Sequence, residues 1–592
     1  MVALTLPIAL ASPLGASPRA AGPARSATTA PPARPRLAYV PHEVLVRFRG
    51  SEPAVSRPAA VARAVPFARI RPVRGTGLSA VALPYGTSVP DAVTALARMP
   101  GVRAVQPDYR YSFTLEPTDP DFVQQWGLQN TGQPHMRTNG GGTTSGLAGA
   151  DAHLTTAWNT TEGSPSTVIA VLDTGVELDH PDLAGNIWTN AGETANGTDD
   201  DHDGYIDDLH GWDFVDHDDD PSPMFDGFDW DIHGTHVAGI IAAARDGSGT
   251  VGVCPTCTIM PLRVGTDAGG VDDEAVIAAI HFAVRHHAGV MNMSFGGPGW
   301  SGMLRSAIAA AGRAGVLTVA AAGNAGADDD SLFVSGAGVT AKLHSPEFPA
   351  AFDLPTIISV AASDDHDRIA GFSNVGRVSV DLAAPGVDIL STIPSMSYGM
   401  LDGTSMATPF VVGVAGLVAS LHPGYSPVQI KDAILHGVDR PHGVAGGRTV
   451  TNGRLDAAKA LNASTANATP KSDGTIAGAV RLVHAKTGTL SYPADVNDVF
   501  RVHLLKGHRY VATLDVPKDR NFDLWVWKPG TLDVWQVEPG CTKATCHVLA
   551  AGAEPKGKDE TVRFAAGKTG TYYLIVTDRG GAGRYRLTLQ PR

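Results

Sequence analysis

One short stretch constrains this chain more than any other. Residues 403–409 read GTSMATP, and an apolar run follows from 410 to 418. Such a run predicts a buried helix, which places Ser405 in the first turn, where backbone N–H groups lack helical partners and the helix dipole is positive. A serine hydroxyl becomes a nucleophile only when a base and a fixed geometry activate it. Taken alone, the stretch predicts an ordinary serine at the start of a helix.

Two further stretches carry the groups that a serine nucleophile needs. Residues 168–172 form a continuous apolar strand that ends on Asp173, which is typical of a parallel sheet buried on both faces. Open α/β sheets place their ligands at this carboxyl edge. His233 leads directly into a second apolar helix. The order along the chain is therefore Asp, His, Ser, which differs from the order in chymotrypsin-like enzymes and in α/β-hydrolases.

These three stretches resemble the signatures of the subtilisin-like serine proteases, or subtilases. Residues 173–175, 233–239 and 403–409 match the three motifs of that family without a break. The resemblance covers residues 117–461. It implies an α/β fold, in which helices flank a doubly wound and mostly parallel sheet.

The resemblance also assigns roles to single residues. Ser405 would be the nucleophile, His233 the general base and then the acid, and Asp173 the group that holds the imidazole tautomer. Asn324, at the end of an apolar strand, and the Ser405 backbone N–H would form the oxyanion hole. His236 follows His233 by one helical turn without the Glu of a zinc motif, so we expect it to be structural.

A glycine-containing strand end is expected to bind the substrate. Ser294, Phe295 and Gly296 resemble the family's segment that pairs with an extended peptide, and glycine allows another backbone to approach closely. Residues 321–323 form a small, uncharged wall nearby. Together with the family resemblance, this wall favours an apolar substrate side chain.

An acidic loop at residues 199–208 predicts a bound calcium ion. Its carboxylates fall at loop positions 1, 3 and 5, and Gly204 follows, as in the first half of an EF-hand loop. His210 stands where that loop needs a glutamate, so an aspartate from the end of the loop would have to serve. The predicted ligands are Asp199, Asp201, Asp203, Asp207 and Asp208. The alternative is an acidic loop that is merely solvated.

A second calcium site rests on the resemblance alone. Asp182 and Asp246 match the family's strong calcium site, and Asp119 would complete it from the start of the mature enzyme. We expect both ions to be structural and to take no part in the chemistry.

The rest of the chain divides by composition and pattern. Residues 1–36 are expected to be an export signal and a disordered lead, and 37–115 a small α+β propeptide, ahead of the catalytic domain at 117–461. A polar linker at 462–474 leads to short alternating strands at 475–592, which predict a β-sandwich. That region resembles a prepeptidase C-terminal domain. Carbohydrate binding by Trp525, Trp527 and Trp535 is the alternative, although such residues more often belong to a core.

Charge and cysteine content exclude some classes of protein. The net charge of −13 argues against a nucleic-acid partner, and no apolar run reaches the length of a membrane span. The four cysteines form two close pairs, at 254 and 257 and at 541 and 546. In an exported chain these predict two local disulfides, although other pairings remain open.

These observations predict a secreted, calcium-stabilised serine endopeptidase that is made as a self-processed zymogen. Its partners would be protein or peptide substrates and its own propeptide, which acts as an intramolecular inhibitor, and we expect a monomer. The alternative is an inactive subtilase-like protein that binds or adheres through its β-sandwich. The complete set of catalytic residues argues against this alternative.

Overall fold

The computed structural model divides the chain into two compact units, residues 1–113 and 114–592. It describes residues 39–50, 53–84, 87–109, 116–138, 140–224, 232–266, 270–330, 334–335, 338–339, 346–377, 379–444, 446, 448–463, 479–491, 497–518, 520, 522–532, 547–552, 557–578 and 582–592. The predicted export signal, most of the linker, Trp535 and the cysteine pair at 541 and 546 lie outside these residues.

The first unit is a small α+β fold, as its sequence pattern predicts. Its elements are β1 (Tyr39–Phe48), α1 (Arg57–Ala64), β2 (Arg69–Val73), β3 (Leu78–Ala82), α2 (Val89–Ala97) and β4 (Val102–Tyr109). The strands pair antiparallel in the order β2-β3-β1-β4. Alternate residues of β1, such as Val44 and Val46, are fully buried and pack with α1 and α2 in one apolar core. The strand β2 and the helix α1 were not predicted from the sequence.

The second unit begins with the elements of the predicted catalytic domain. In chain order they are β5 (Pro134–Met136), β6 (Thr143–Ser145), α3 (Leu154–Ala157), β7 (Val168–Asp173), β8 (Trp212–Asp213), α4 (His233–Ala242), β9 (Thr258–Arg263), α5 (Asp273–Arg285), β10 (Val290–Met293), α6 (Gly302–Ala314), β11 (Leu317–Ala321), β12 (Val334–Ser335), β13 (Gly338–Val339), β14 (Ile357–Ser363), β15 (Leu382–Pro385), β16 (Ile389–Ile393), β17 (Ser397–Leu401), α7 (Thr404–Leu421), α8 (Pro427–His436) and α9 (Ala457–Leu461).

A seven-stranded parallel sheet forms the centre of this unit, in the order β15-β14-β11-β10-β7-β9-β8. Ile169 and Val171 of β7 pack in the core that contains α4 and α7. Ala170 and Leu172 face the opposite core, with α5 and α6. The sheet is therefore covered on both sides, as the apolar strand pattern predicts, and the carboxyl ends of β7, β10 and β11 meet at one edge.

Helix α7 is the central helix of the first of these cores. Among the described residues, it alone has the length and composition of a membrane-crossing helix, but 78% of it is buried inside the fold. Pro409 lies inside this helix. A proline has no N–H to donate to the carbonyl four residues earlier, and that carbonyl belongs to Ser405.

The C-terminal residues form the predicted β-sandwich. Its strands are β18 (Val480–Arg481), β19 (Ala485–Ser491), β20 (Asn497–Leu504), β21 (Arg509–Asp515), β22 (Phe522–Trp527), β23 (Val548–Gly552), β24 (Glu560–Ala565), β25 (Gly570–Asp578) and β26 (Ala582–Pro591). They make two sheets, β18-β20-β25-β22-β23 and β19-β26-β21-β24. Residues from both sheets, such as Leu524 and Leu587, share one buried core.

One face of this sandwich is not a solvent-exposed surface. Trp525 and Trp527 are only 4% and 1% exposed, so neither is available to stack on a carbohydrate. With Val499 and Ile575, they belong to the same apolar cluster as the α5 and α6 side of the catalytic sheet. The sandwich therefore shares a core with the catalytic domain, whereas the linker pattern suggested two independent units.

Candidate active site

The carboxyl end of β7 and the start of α4 bring Asp173 and His233 into contact. The Nδ1 atom of His233 lies 2.6 Å from Oδ1 of Asp173, whose carboxylate is 3% exposed. Burial alone would lower the pKa of His233, but the charge and the hydrogen bond of Asp173 outweigh it, so the pKa of the imidazole is raised. The hydrogen bond to Nδ1 leaves Nε2 as the nitrogen that can exchange a proton.

Ser405 lies at the start of α7 and faces the same cleft. Its hydroxyl donates to the backbone oxygen of Ser294 at 2.9 Å, and the Ser294 hydroxyl donates to the Ser405 carbonyl, also at 2.9 Å. The second bond replaces the helical bond that Pro409 cannot make. Ser405 and His233 line the same cleft, although the Ser405 hydroxyl bonds to Ser294 in this structure.

Asn324 is held with its amide directed at this cleft. Its Oδ1 accepts from the backbone N–H and from the hydroxyl of Thr404, each at 2.9 Å. A backbone N–H only donates, so this bond fixes which end of the amide is the oxygen. The Nδ2 group is thereby left as a donor, beside the first turn of α7 that contains the Ser405 N–H.

The cleft itself has a volume of about 540 Å³ and is bordered by strand ends from the central sheet. One wall continues from β10 through Ser294, Phe295 and Gly296, and the other continues from β11 to Asn324. Gly297 exchanges two backbone hydrogen bonds with Phe348, at 2.9 and 2.8 Å, and both residues line the cleft. The predicted substrate-binding residues therefore line the same cleft as the predicted catalytic ones.

His236 is fully buried, as its spacing from His233 led us to expect. Its Nε2 lies 3.0 Å from the backbone oxygen of Ile389 and 3.1 Å from that of Gly399. Burial lowers the pKa of His236 to about 3, so the ring is neutral and donates one proton to these carbonyls. It ties α4 to the β16–β17 hairpin.

The acidic loop brings together only part of the predicted ligand set. Asp201, Asp203 and Asp208 lie in two groups of ligand-type side chains. Glu193 joins Asp201 and Asp208 in one group, and His286 joins Asp201 and Asp203 in the other. Burial, with the neighbouring charges of Asp203, Asp201 and Glu193, raises the pKa of Asp208 to about 7. A cation would relieve this repulsion.

Asp199 and Asp207 instead shape the loop. Asp199 accepts from the backbone N–H groups of Asp203 and Gly204, at 3.0 and 2.9 Å. Asp207 accepts from those of Asn196 and Gly197. The carboxylates of these two residues are used in turns, so they do not join the two ligand groups in the described part of the chain.

Two members of these groups were missed in the sequence. Glu193 precedes the acidic run by several residues, and Oε1 of Glu193 accepts from the Asp201 N–H at 2.9 Å. His286 directly follows the last residue of α5, and its Nε2 lies 2.8 Å from Oδ2 of Asp203. A carboxylate shortly before the loop was a signal that could have been used, whereas nothing in the local sequence links His286 to it.

The second predicted calcium site is brought together in part. Oδ1 of Asp119 accepts from the N–H groups of Asp246 and Gly247, at 3.1 and 3.0 Å. Asp182 accepts from Thr250 and, at 2.9 Å, from the Tyr398 hydroxyl. Burial raises the pKa of Asp182, and these hydrogen bonds oppose that shift without cancelling it.

Buried carboxylate oxygens that lack a hydrogen-bond partner indicate whether these sites suit a cation. In the described residues, Oδ1 of Asp201 and Oδ2 of Asp119 are buried without a hydrogen-bond partner. Carboxylate oxygens are the ligands that calcium prefers. The loop site, where three carboxylates lie within ligand distance, therefore fits a hard cation. At the second site Asp119 offers one such oxygen, while both oxygens of Asp182 already accept hydrogen bonds.

A third group of ligand-type residues does not fit a metal. His153, Asp439 and Asp456 lie within ligand distance of one another. However, Lys459 contacts both aspartates, and Arg454 pairs with Asp439. The group is an ion-pair network that joins α3 to α9.

Of the predicted disulfides, the structure contains the one between Cys254 and Cys257. Both cysteines are buried in the same core as α7. The other cysteine pair lies outside the described residues.

Comparisons with known proteins show what this chain is similar to. The model of the Subtilase family matches residues 164–469, and that of the Fervidolysin N-terminal prodomain matches 25–108. Thermitase of Thermoactinomyces vulgaris is 38% identical over 306 residues, which are 52% of this chain and 91% of thermitase. The halolysin-like extracellular serine protease Nep of Natrialba magadii is 35% identical over 277 residues, 47% of this chain and 44% of that protein. A cold-adapted subtilisin-like serine proteinase of known crystal structure has a TM-score of 0.41 and 29% identity, and covers 56% of this chain and 97% of its own.

The first of these matches spans more than half of the chain and contains every predicted catalytic residue. The chain therefore belongs to the subtilase family and is a serine endopeptidase with an N-terminal prodomain.

Proposed function

We propose that the protein is a secreted endopeptidase that cuts peptide bonds through Asp173, His233 and Ser405. It is made as a zymogen that processes itself, and calcium stabilises it. One observation carries the proposal above all. The Asp173–His233 hydrogen bond, the Ser405 hydroxyl and the Asn324 amide all border a single cleft, although they come from distant parts of the chain.

The reaction begins when the Ser405 Oγ attacks the carbonyl carbon of the scissile bond. His233 takes the hydroxyl proton at Nε2, and the carbonyl electron pair moves to the oxygen. Collapse of this intermediate breaks the C–N bond, and the leaving amine takes the proton from His233. A water molecule then repeats the sequence on the ester and releases the acid. Asp173 stays ionised throughout and stabilises the imidazolium.

The developing oxyanion is held by Asn324 Nδ2 and the Ser405 N–H. The amide is already oriented by Thr404, so it need not reorganise when charge develops. The N-terminal end of α7 adds its positive dipole at the same place.

Self-processing and export are supported by the similarity to known proteins. The N-terminal unit matches a prodomain, and prodomains precede the enzymes that remove them. A relative described as extracellular supports secretion, as does the apolar stretch at residues 2–11.

Calcium would be held by Glu193, Asp201, Asp203 and Asp208 at one site, and around Asp119 at the other. It supplies charge neutralisation only, because neither group borders the cleft. A cation that binds only the folded state stabilises it by about 2.7 kcal/mol at a hundredfold excess over Kd. Removal of calcium should therefore lower Tm and shorten the active lifetime.

A paired substitution tests the loop site. Asp201→Ala with Asp203→Ala should reduce the calcium-dependent rise in Tm and leave the initial kcat nearly unchanged. Asp200→Asn is the matched control, because Asp200 is exposed and accepts from Thr194 and Thr198, outside the ligand groups. An unchanged Tm after chelation of the wild-type enzyme would rule out both sites.

The nucleophile is tested by a covalent, serine-directed inhibitor. We expect the inhibitor to abolish casein hydrolysis by the purified enzyme and to add its mass to the peptide that contains Ser405. Activity that survives stoichiometric labelling, or a label on another residue, would contradict the assignment. A folded protein that hydrolyses nothing and takes no label would instead favour a binding or adhesion protein.

A further inference from the structure

A glutamate lies in the wall of the cleft where an uncharged surface was expected. Glu347 immediately precedes Phe348, which pairs with Gly297, and it lines the cleft together with Ser405 and Asn324. Its carboxylate is therefore part of the surface that meets the substrate. The sequence expectation rested on residues 321–323 and did not consider this position.

Two glycines make room for this side chain. A Cβ atom on Gly323 would come within 2.5 Å of Cγ of Glu347, and one on Gly296 would lie 3.4 Å from its Oε2. Gly323 adjoins Asn324, and Gly296 lies two residues after Ser294, whose backbone oxygen accepts from Ser405. Glu347 therefore lies between the two walls that flank the reacting atoms.

Burial raises the pKa of the Glu347 carboxyl group, so its charged form is poorly stabilised by its surroundings. In the described part of the chain, its Oε2 is buried and has no hydrogen-bond partner. The neighbouring carboxyl group of Asp329 adds no positive charge, and burial followed by the charges of Asp330, Glu347 and Asp328 raises the pKa of Asp329 to about 9. A buried acceptor of this kind gains most from a cationic donor supplied from outside.

We propose that Glu347 makes this pocket select lysine or arginine as the residue whose carbonyl is attacked. An ammonium or guanidinium group, carried on a long apolar stem, would reach the Glu347 carboxylate while its stem lies between the two glycine-containing walls. The inference rests on the proposed function, because it names the substrate class of the same cleft. It replaces the apolar preference that the sequence suggested.

The test uses peptides that differ only at this position. Lysine is compared with norleucine, which has a similar length and no charge, and with arginine and glutamate. We expect the wild-type enzyme to have a kcat/KM for lysine at least about tenfold above that for norleucine. Glu347→Gln should reduce the lysine-to-norleucine ratio by at least about tenfold, with norleucine cleavage as the check that the variant is active.

Two further variants make the result specific. Glu347→Asp keeps the charge and should keep a preference for cations. Glu274→Gln makes the same chemical change at an exposed position on α5 that does not line the cleft, and the ratio should not move. If Glu347→Gln does not fold, the peptides from a wild-type casein digest decide, because most should end in lysine or arginine.

Several outcomes would overturn the inference about Glu347 without contradicting the proposed function. They are a wild-type preference for norleucine or for small residues, a ratio unchanged in Glu347→Gln, and casein products that end mainly in apolar residues. Failure of the proposed function looks different, since then no peptide is cut and Ser405 takes no inhibitor.

Discussion

At the scale of single residues, Pro409 changes the backbone hydrogen bonding of Ser405. In an unbroken helix the Ser405 carbonyl would accept from the residue four positions later. Pro409 cannot donate, and the Ser294 hydroxyl takes its place at 2.9 Å. This bond ties the Ser405 backbone to the strand end that borders the cleft, so Pro409 leaves the Ser405 carbonyl open to a contact that positions this residue.

Removal of the Asn324 amide tests the oxyanion hole. Asn324→Ala should lower kcat by about 10²–10³ and change KM little, because the donor acts chiefly in the transition state. Steady-state kinetics on one peptide separates the two constants. Asn324→Asp is the matched control, since it keeps the acceptor for Thr404 and loses the donor. Full activity in the aspartate variant, or an effect confined to KM, would argue against this role.

The raised pKa of His233 predicts the acid limb of the pH profile. A protonated imidazole cannot accept the serine proton, so kcat/KM should fall as pH drops through a value above the ordinary 6.5. In Asp173→Asn the opposing effect of burial remains and the carboxylate charge is lost. That variant should have a much lower rate and an acid limb shifted to lower pH. An acid limb in the same place would contradict the pairing.

At the scale of elements, α7 must pack closely on its neighbours to hold Ser405 at the sheet edge. A Cβ atom on Gly413 would lie 2.5 Å from Cβ of Val253, and one on Gly416 would lie 3.0 Å from Cδ1 of Ile169. Alanine favours a helix over glycine by about 1 kcal/mol. At Gly413 this gain is opposed by contact with a branched side chain fixed near the backbone.

We therefore expect Gly413→Ala to destabilise the enzyme by about 1–3 kcal/mol, the usual cost of overpacking a core. Gly416→Ala should have a smaller effect, because its closest contacts, with Cδ1 of Ile169 and Sγ of Cys257, would be 3.0 and 3.1 Å. Thermal or denaturant unfolding of both variants gives the comparison. Equal or reversed effects would show that α7 is packed more loosely than described.

The elements also show what could be predicted from the sequence. Each of four residues follows or begins an apolar strand or helix and has a local motif: Asp173, His233, Ser405 and Asn324. Both the sheet and the meeting of these residues at one cleft could therefore be predicted. The contact between His286 and Asp203 joins residues that are far apart in the chain, so no local sequence pattern predicts it.

Glu347 was overlooked for the same reason. Its place in the cleft depends on the pairing of Gly297 with Phe348, which is a tertiary contact. Asp199 and Asp207 fitted a ligand pattern but serve the backbone turns, because a carboxylate next to a tight turn competes for its N–H groups.

At the scale of the whole molecule, the C-terminal sandwich contributes to the enzyme's core. Trp527 is 1% exposed and lies in the cluster that includes α5 and α6. The polar linker led us to expect an independent domain. A linker sequence shows where one domain ends and the next begins, but it does not show whether the two domains pack against each other.

A chain that ends at Leu461 should therefore have a lower Tm than the full-length enzyme and a greater tendency to aggregate. It would expose the apolar surface that the sandwich covers. It retains all the cleft residues, so its kcat on short peptides should be similar at temperatures where it is folded. Scanning calorimetry, with peptide hydrolysis as the second readout, makes the comparison. Identical Tm values would show that the shared core contributes no stability.

The central claim is that one serine, Ser405, both cuts substrates and releases the prodomain. The most direct measurement is the intact mass of purified Ser405→Ala beside that of the wild-type enzyme, together with casein hydrolysis and thermal unfolding of each. We predict that wild-type protein loses its N-terminal unit, whereas the variant is folded, inactive and retains that unit. A folded Ser405→Ala variant that still shortens itself and digests casein would contradict the account.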